Sequence, residues 1–380
     1  MVKEKLKILM ILSNPFIVDP RVYKEAKTLV DAGHEVTVIV WDRHEEYRPE
    51  DIVDGIRIIR IHNEGIMKIL PNDLLRNPLW WRKAYKKGLE LYKTGEFRFD
   101  VVHCHDLDTL QAGVWLKKKL EIKLIYDAHE IFGYMIARNM PKIVVKAAFW
   151  MEKRLVKRVD YVITVDDGYA SFLKNITKKP ITIVRNCKEL LGNYVPPSRK
   201  IFTLVYIGTL STSRFFPQLV HVVGKIKDVN LIIAGKKEAL YGEIEALAKK
   251  YSNIEFLGTI PTQKVISLTL EGHVIVCMFD PNDMLNKIGS PNKLFEAMVC
   301  GRPIIVTKGT HAGKIVEEEN CGLAIEYNED AFMEAVIKLK ENQRIYKELG
   351  KNALRAAMEK YNWGKEKKKL LEIYKSVLKK

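Results

Sequence analysis

A lysine stands where a helix should repel it. The stretch Gly289-Ser290-Pro291-Asn292-Lys293-Leu294-Phe295-Glu296-Ala297-Met298-Val299-Cys300-Gly301-Arg302-Pro303 reads as a short helix with both ends marked. Ser290 is the expected cap, Pro291 the first helical residue, Gly301 the stop and Pro303 the bar to continuation. Lys293 falls in the first turn, where the partial positive charge of the helix end and the free amides favour an anion. Two readings stand side by side. Either Lys293 and those amides share a bound anion, for which phosphate is the usual occupant, or Lys293 pairs with Glu296 at i,i+3 for about 0.2–0.5 kcal/mol.

The elements that must position this helix alternate along the whole chain. Lys7–Leu12 is a short apolar run ended by Ser13-Asn14-Pro15, a helix is expected from about Arg21 to Ala32, and Glu35–Trp41 follows as a second strand. No GxGxxG joins that first strand to its helix, so the dinucleotide fingerprint is missing where it would have to stand. Further strands are expected at Ile56–Ile61, Val101–His103, Leu124–Tyr126 and Tyr161–Val165. After a linker-like stretch, Arg185–Lys200, the pattern restarts: Thr203–Ile207, Asn230–Ala234, Ile254–Leu257, Val274–Met278, Pro303–Thr307 and Leu323–Ile325. Strand and helix alternating in this way imply an α/β fold of two doubly wound parallel sheets. The expected domains are residues 1–185 and 186–362, with the Lys-rich helix 363–380 returning to the first. Two such sheets facing a central cleft would bring the carboxyl ends of their strands together, where ligands bind.

Composition bounds the rest. The 380 residues carry a net charge of +16 with 47% hydrophobic residues, enough for large cores and a general attraction to anionic partners. Cys104, Cys187, Cys277, Cys300 and Cys321 are scattered and contain no CxxC pair, which reads as reduced core thiols in a cytoplasmic protein. The charged start Met1–Lys7 lacks the layout of a signal peptide. No run of 18 apolar residues offers a spanning helix.

Several motifs in chain order resemble those of retaining GT-B glycosyltransferases of family 4. They are Asp19-Pro20-Arg21-Val22 with Glu25-Ala26, Leu29 and Gly33-His34-Glu35-Val36; Asp100-Val101-Val102-His103-Cys104-His105-Asp106; Asp127-Ala128-His129-Glu130; Val184-Arg185-Asn186; Tyr206-Ile207-Gly208-Thr209-Leu210-Ser211; and the helix of Lys293. The resemblance spans nearly the whole chain. It implies a GT-B fold, a UDP- or GDP-sugar donor held mainly by the second domain, and a glycan or lipid-linked acceptor met mainly by the first. It also implies no metal and no cofactor. Asp106-Leu107-Asp108 spells the DxD metal motif of the other main glycosyltransferase fold, but it lies in the first domain, away from the expected donor.

Sugar transfer from a nucleotide diphosphate builds charge on the leaving phosphate, so fixed cations must be aimed at it. By resemblance, Arg214 is the second of two basic residues after the Gly208 turn, and Thr209 stands where the first would be. Lys293 would replace that missing charge. Glu296 matches the second glutamate of the family's E-x7-E element and is assigned to the ribose hydroxyls, which a carboxylate can accept in pairs. Ile288 replaces the first glutamate, leaving Asp280, Asp283 or Asn286 to meet the sugar. Ser290, Pro291, Asn292, Gly208 and Thr209 complete the expected donor site. His129 matches a histidine beside the reacting sugar, with His105, Asp106 and Asn14 on the acceptor side.

Two segments join cations to apolar residues: Leu70–Lys87, with Leu74, Trp80 and Trp81, and Pro141–Val159, with Ile143, Val144, Ala147, Met151, Leu155 and Val159 along one stripe. The tryptophan segment is the expected membrane contact, giving peripheral attachment at the inner face of a membrane. Pro141–Val159 reads more readily as a core-facing helix with a solvated charged face. A UDP-sugar 2-epimerase of similar architecture is the alternative enzyme. Nucleic-acid binding is disfavoured because no such module appears.

Overall fold

The computed structural model describes residues 5–379 except 18, 63, 64, 66, 68, 69, 71, 72, 138 and 239. Residues 1–4 of the charged start and the early part of the Leu70–Lys87 segment therefore lie outside the described residues, as do the side chains of Leu74 and Leu378. The chain divides into two compact units, Met1–Val184 with Lys367–Lys380, and Arg185–Glu366.

The first unit is built on an eight-stranded sheet in the order β3-β4-β2-β1-β5-β6-β7-β8. Its strands are β1 (Lys7–Leu12), β2 (Glu35–Asp42), β3 (Glu50–Val53), β4 (Ile56–His62), β5 (Val101–His105), β6 (Lys123–Ala128), β7 (Tyr161–Thr164) and β8 (Ile181–Ile183). The central strands are continuous apolar runs because helices cover both of their faces; Ile8 to Ile11 are fully buried. β3 and β8 lie at the two edges. β3 pairs antiparallel with β4 and is acidic and mostly exposed, so it lacks the apolar signature that marks the inner strands.

The second unit is a six-stranded sheet in the order β11-β10-β9-β12-β13-β14, made of β9 (Phe202–Ile207), β10 (Val229–Ala234), β11 (Ile254–Gly258), β12 (Val274–Cys277), β13 (Ile304–Thr307) and β14 (Gly322–Ile325). All its pairings are parallel. Arg302, fully buried, stitches this unit by donating to the carbonyls of Gly272, Cys300, Val195 and Leu270. In each unit the strand order reverses once, between β1 and β5 and between β9 and β12, and such switch points open a crevice at the carboxyl ends of the strands. All five cysteines are buried and unbridged.

The tryptophan segment does not behave as a membrane contact. Trp80 is fully buried and stacks on Trp41 with ring centroids 5.3 Å apart, while the Trp81 indole donates to the Asp108 carbonyl at 2.6 Å. Both rings are used up inside the unit by packing and hydrogen bonding.

Candidate functional site

In the first unit the helix Pro20–Asp31 begins at Asp19, whose carboxylate accepts from the amides of Arg21 and Val22. Asn14, in the loop after β1, donates to the other Asp19 oxygen at 2.9 Å; its role here is to hold that cap. Arg21 then sits in a first helical turn, again where a cation is disfavoured. It is 3% exposed, and both of its terminal nitrogens are engaged. One Nη lies 3.0 Å from both Asp127 oxygens and 2.9 Å from Glu25, and the other donates to the Val184 carbonyl at 2.8 Å. Asp127 is delivered by β6, in register with His105 on β5.

His129, just past β6, is gripped from both sides: Nε2 lies 3.1 Å from Asp127 and Nδ1 3.2 Å from Asp106. Burial opposes a charge on this ring, but Asp106 and Asp127 outweigh it and hold the imidazolium well above the usual histidine range. Burial and then neighbouring His103 push His105 down to about 3, so it is neutral, and its Nδ1 faces His129 Nε2 at 3.2 Å. His103 shares a 2.7 Å hydrogen bond with Tyr374 of the last helix, Trp363–Lys379. Asp106 has φ 63 and ψ 169, a region that glycine alone enters freely and that costs a side-chain residue about 1–3 kcal/mol. It is kept there by bonds on both sides: its amide donates to the Asp127 carbonyl, and its carboxylate accepts from the His129 amide at 2.9 Å.

Two possible metal seats can be tested on this geometry. The carboxylates of Asp106-Leu107-Asp108 turn apart, one to His129 and the other to the Ser13 hydroxyl, so the motif does not form a chelate. Ligand atoms of Glu25, His103, His105 and Asp127 lie within 4.8 Å of one another, but the Arg21 guanidinium already fills the cationic place beside both carboxylates.

In the second unit the helix of Lys293 runs Asn292–Val299 with Pro291, not Ser290, at the cap, and no side chain caps it. The expected Ser290 cap is thus displaced by one residue. A proline there has no side-chain acceptor to offer the first-turn amides. Lys293 is 8% exposed and makes no hydrogen bond or ion pair among the described residues. Its ammonium rests 4.6 Å from the Tyr206 ring centroid and 5.4 Å from that of Phe279. Gly208, at φ 147, makes room for it: a Cβ at that position would fall 2.5 Å from Lys293 Nζ. Burial and the Arg214 charge push Lys293 down to about 8. The Arg214 guanidinium lies on the same Phe279 ring at 3.5 Å.

The loop carrying Arg214 is fixed from Tyr327, whose hydroxyl accepts from the Phe215 amide and donates to the Thr212 carbonyl, both at 2.9 Å. The Asp280 amide holds the Ser213 carbonyl at 3.0 Å. The Thr209 carbonyl accepts from the Tyr206 hydroxyl. Glu296, one turn beyond Lys293, does not pair with it; its carboxylate lies 2.9 Å from Lys188. Asp283 caps the Met284–Ile288 helix, and Asn286 donates to the Asp280 carbonyl.

The structure therefore gathers His105, Asp106 and His129 in one unit, and Gly208, Arg214 and Lys293 in the other, with Glu296 on the same helix. Sequence reasoning did not single out Lys188, Phe279 or Tyr327. Their only signals were a cation after Arg185-Asn186, an aromatic residue after β12, and a tyrosine after β14, none distinctive by itself.

Models of two families match the chain: Glycosyltransferase Family 4 over residues 20–187, and Glycosyl transferases group 1 over residues 201–342. An uncharacterized glycosyltransferase of Methanocaldococcus jannaschii is 23% identical over 346 residues, 84% of this chain and 85% of the relative. Sucrose-phosphate synthase from Thermosynechococcus elongatus superposes with a TM-score of 0.77 at 16% identity, covering 98% of this chain and 99% of that one. Anabaena HepE in complex with UDP-glucose superposes with a TM-score of 0.70 at 13% identity, covering 97% and 100%.

Proposed function

Because the chain belongs to the GT-B glycosyltransferases that join a family 4 domain to a group 1 domain, we propose that it moves a sugar from a nucleotide-diphosphate donor, a UDP- or GDP-sugar, to a glycan or lipid-linked acceptor. The observation that carries the reading is Lys293: a buried ammonium with no carboxylate of its own, at an uncapped helix start, sharing an aromatic ring with Arg214. A diphosphate would supply the missing anion. It would accept from the first-turn amides while Lys293 and Arg214 neutralise the charge that grows on the leaving group. Those two cations do the work that a metal does in other transferases, and the reading needs none. The HepE complex with UDP-glucose, on the same fold, is consistent with this donor class.

Glu296 accepts the ribose hydroxyls in this reading, and Lys188, 2.9 Å away, orients its carboxylate. His129 acts as a fixed positive charge, since both its ring nitrogens already face carboxylates. Retention follows if the leaving phosphate takes the acceptor proton on the face it departs from. A lipid-linked acceptor would draw the protein to the inner face of a membrane from the cytoplasm. The 2-epimerase alternative loses ground because both matching families are glycosyltransferases.

The test is a thermal-shift panel of UDP, GDP, ADP and their sugar conjugates, followed by nucleotide release with and without acceptor. A true donor at 100 times its Kd adds about 2.7 kcal/mol of stability, and its nucleotide is released mainly when acceptor is present. Silence across the panel, or steady conversion of a UDP-sugar without acceptor, would overturn the reading.

A further inference from the structure

The second basic and apolar segment behaves in the opposite way to the first. Its helix, Lys142–Leu155, buries Ala148, Glu152 and Leu155 and turns Ile143 and Trp150 outward at 77% and 61% exposure. The expected stripe is thereby corrected: Ile143 and Ala147 lie on the solvent side, with only part of the apolar row facing the core. Ile143, Ala147 and Trp150 fall at i, i+4 and i+7, one line along the helix. Lys142, Lys146 and Lys153 form the neighbouring line, and Arg154, Lys157 and Arg158 continue the exposed basic surface. The Arg154 guanidinium lies 5.2 Å from the Trp150 ring centroid.

The charge on this face is of one sign. The sole acid of the segment, Glu152, is fully buried and accepts from the Tyr126 hydroxyl at 2.8 Å, and none of the six cations forms an ion pair among the described residues. A solvated helix gains nothing from exposing a tryptophan and an isoleucine beside unpaired cations. An apolar line flanked by lysines and arginines complements a surface whose outer layer is anionic and whose inner layer is hydrocarbon. The short helix just before it, Phe132–Ile136, adds Met135 at 38% exposure and packs against the long one through Gly133, where a Cβ would fall 2.5 Å from the Phe149 ring. Phe132 lies three residues after His129 in the chain.

We propose that the Lys142–Leu155 face, with Met135 beside it, docks on an anionic lipid bilayer. The proposal deepens the lipid-linked branch of the functional reading, yet its test is independent of transfer activity. The full-length protein is sedimented with phosphatidylcholine vesicles containing phosphatidylglycerol, and with phosphatidylcholine vesicles alone, at low and high salt. Binding is expected only to the anionic vesicles and should fall as salt rises. Replacing the lysine line, Lys142→Ala, Lys146→Ala and Lys153→Ala together, should weaken binding about a hundredfold, at about fivefold per cation. Ile143→Ser with Trp150→Ser should weaken it about tenfold or more.

All these side chains are exposed, so thermal unfolding and the UDP-induced shift should be unchanged in both variants; this separates lost docking from lost fold. The proposal is overturned by absent vesicle binding in the wild type, by binding that neither variant weakens, or by a variant effect that appears only as loss of self-association or of RNA retention. A wild type that binds vesicles but shows no nucleotide shift would defeat the donor reading and leave the docking face standing.

Discussion

Two helices in this protein break the same rule and resolve it differently. Pro20–Asp31 and Asn292–Val299 both place a buried cation in the first turn, against the helix dipole. Arg21 is matched on the spot by Asp127, Glu25 and a backbone carbonyl. Lys293 rests on aromatic faces beside a second cation and forms no ion pair with a carboxylate among the described residues. The difference teaches how to tell scaffold from site. A buried charge whose partners all lie within the protein stabilises a particular arrangement, whereas one without a carboxylate partner awaits a ligand and is held at a cost.

The sharpest way to break this comparison is to remove a partner from each. Asp127→Ala leaves Arg21 buried without its bidentate anion and should cost about 3–5 kcal/mol, read as a large drop in the urea midpoint. A midpoint within error of wild type would show that the cluster is not scaffold. Lys293→Met should act in reverse: the ligand-free protein keeps or gains thermal stability, while turnover falls by about 10² to 10³. If it unfolded like Asp127→Ala, Lys293 would belong with Arg21 and not with a donor.

The pH dependence carries the contrast into titration. Burial holds Lys293 at about 8 in the folded protein, below the ordinary lysine value near 10.5. Between these two values the unfolded chain binds the extra proton, so this group makes ligand-free stability rise with pH across that window. A bound diphosphate pulls the other way by favouring the ammonium. Donor affinity should therefore weaken as pH rises through about 8, approaching a tenfold loss per pH unit. Arg214, Cys277 and Glu296 are the other titratable groups acting on Lys293, and a profile unchanged in Lys293→Met would assign the effect to one of them.

The smallest effect expected is that of Tyr327→Phe, which removes the hydroxyl bracketing Arg214 and should cost about 1 kcal/mol. Its mark would be a roughly fivefold fall in kcat with KM for acceptor unchanged. A loss of stability without a change in kcat would make Tyr327 purely structural.

Much of this was legible in the sequence because the signals were local. The inner strands announced themselves as apolar runs, and Lys293 stood out against the marked helix ends around it. The edges were not legible: β3 is acidic and exposed, and β8 is three residues long, so neither carries a buried face to read. The partner of Glu296 was hidden because Lys188 lies over a hundred positions away in the chain, and the i,i+3 spacing pointed to Lys293 instead. Trp80 and Trp150 show a related limit. Both stand beside cations, but the tertiary fold stacks the first on Trp41 and leaves the second in solvent, and composition cannot separate the two cases.

The central claim, that Lys293 is kept for the donor diphosphate, meets its most direct test in calorimetric titration of UDP at pH 8.5, run in buffers of different ionisation enthalpy. Uptake of a fraction of a proton on binding is expected in the wild type, with that uptake lost and affinity sharply reduced in Lys293→Met. Tight UDP binding with no proton uptake, and with equal affinity in the variant, would contradict it.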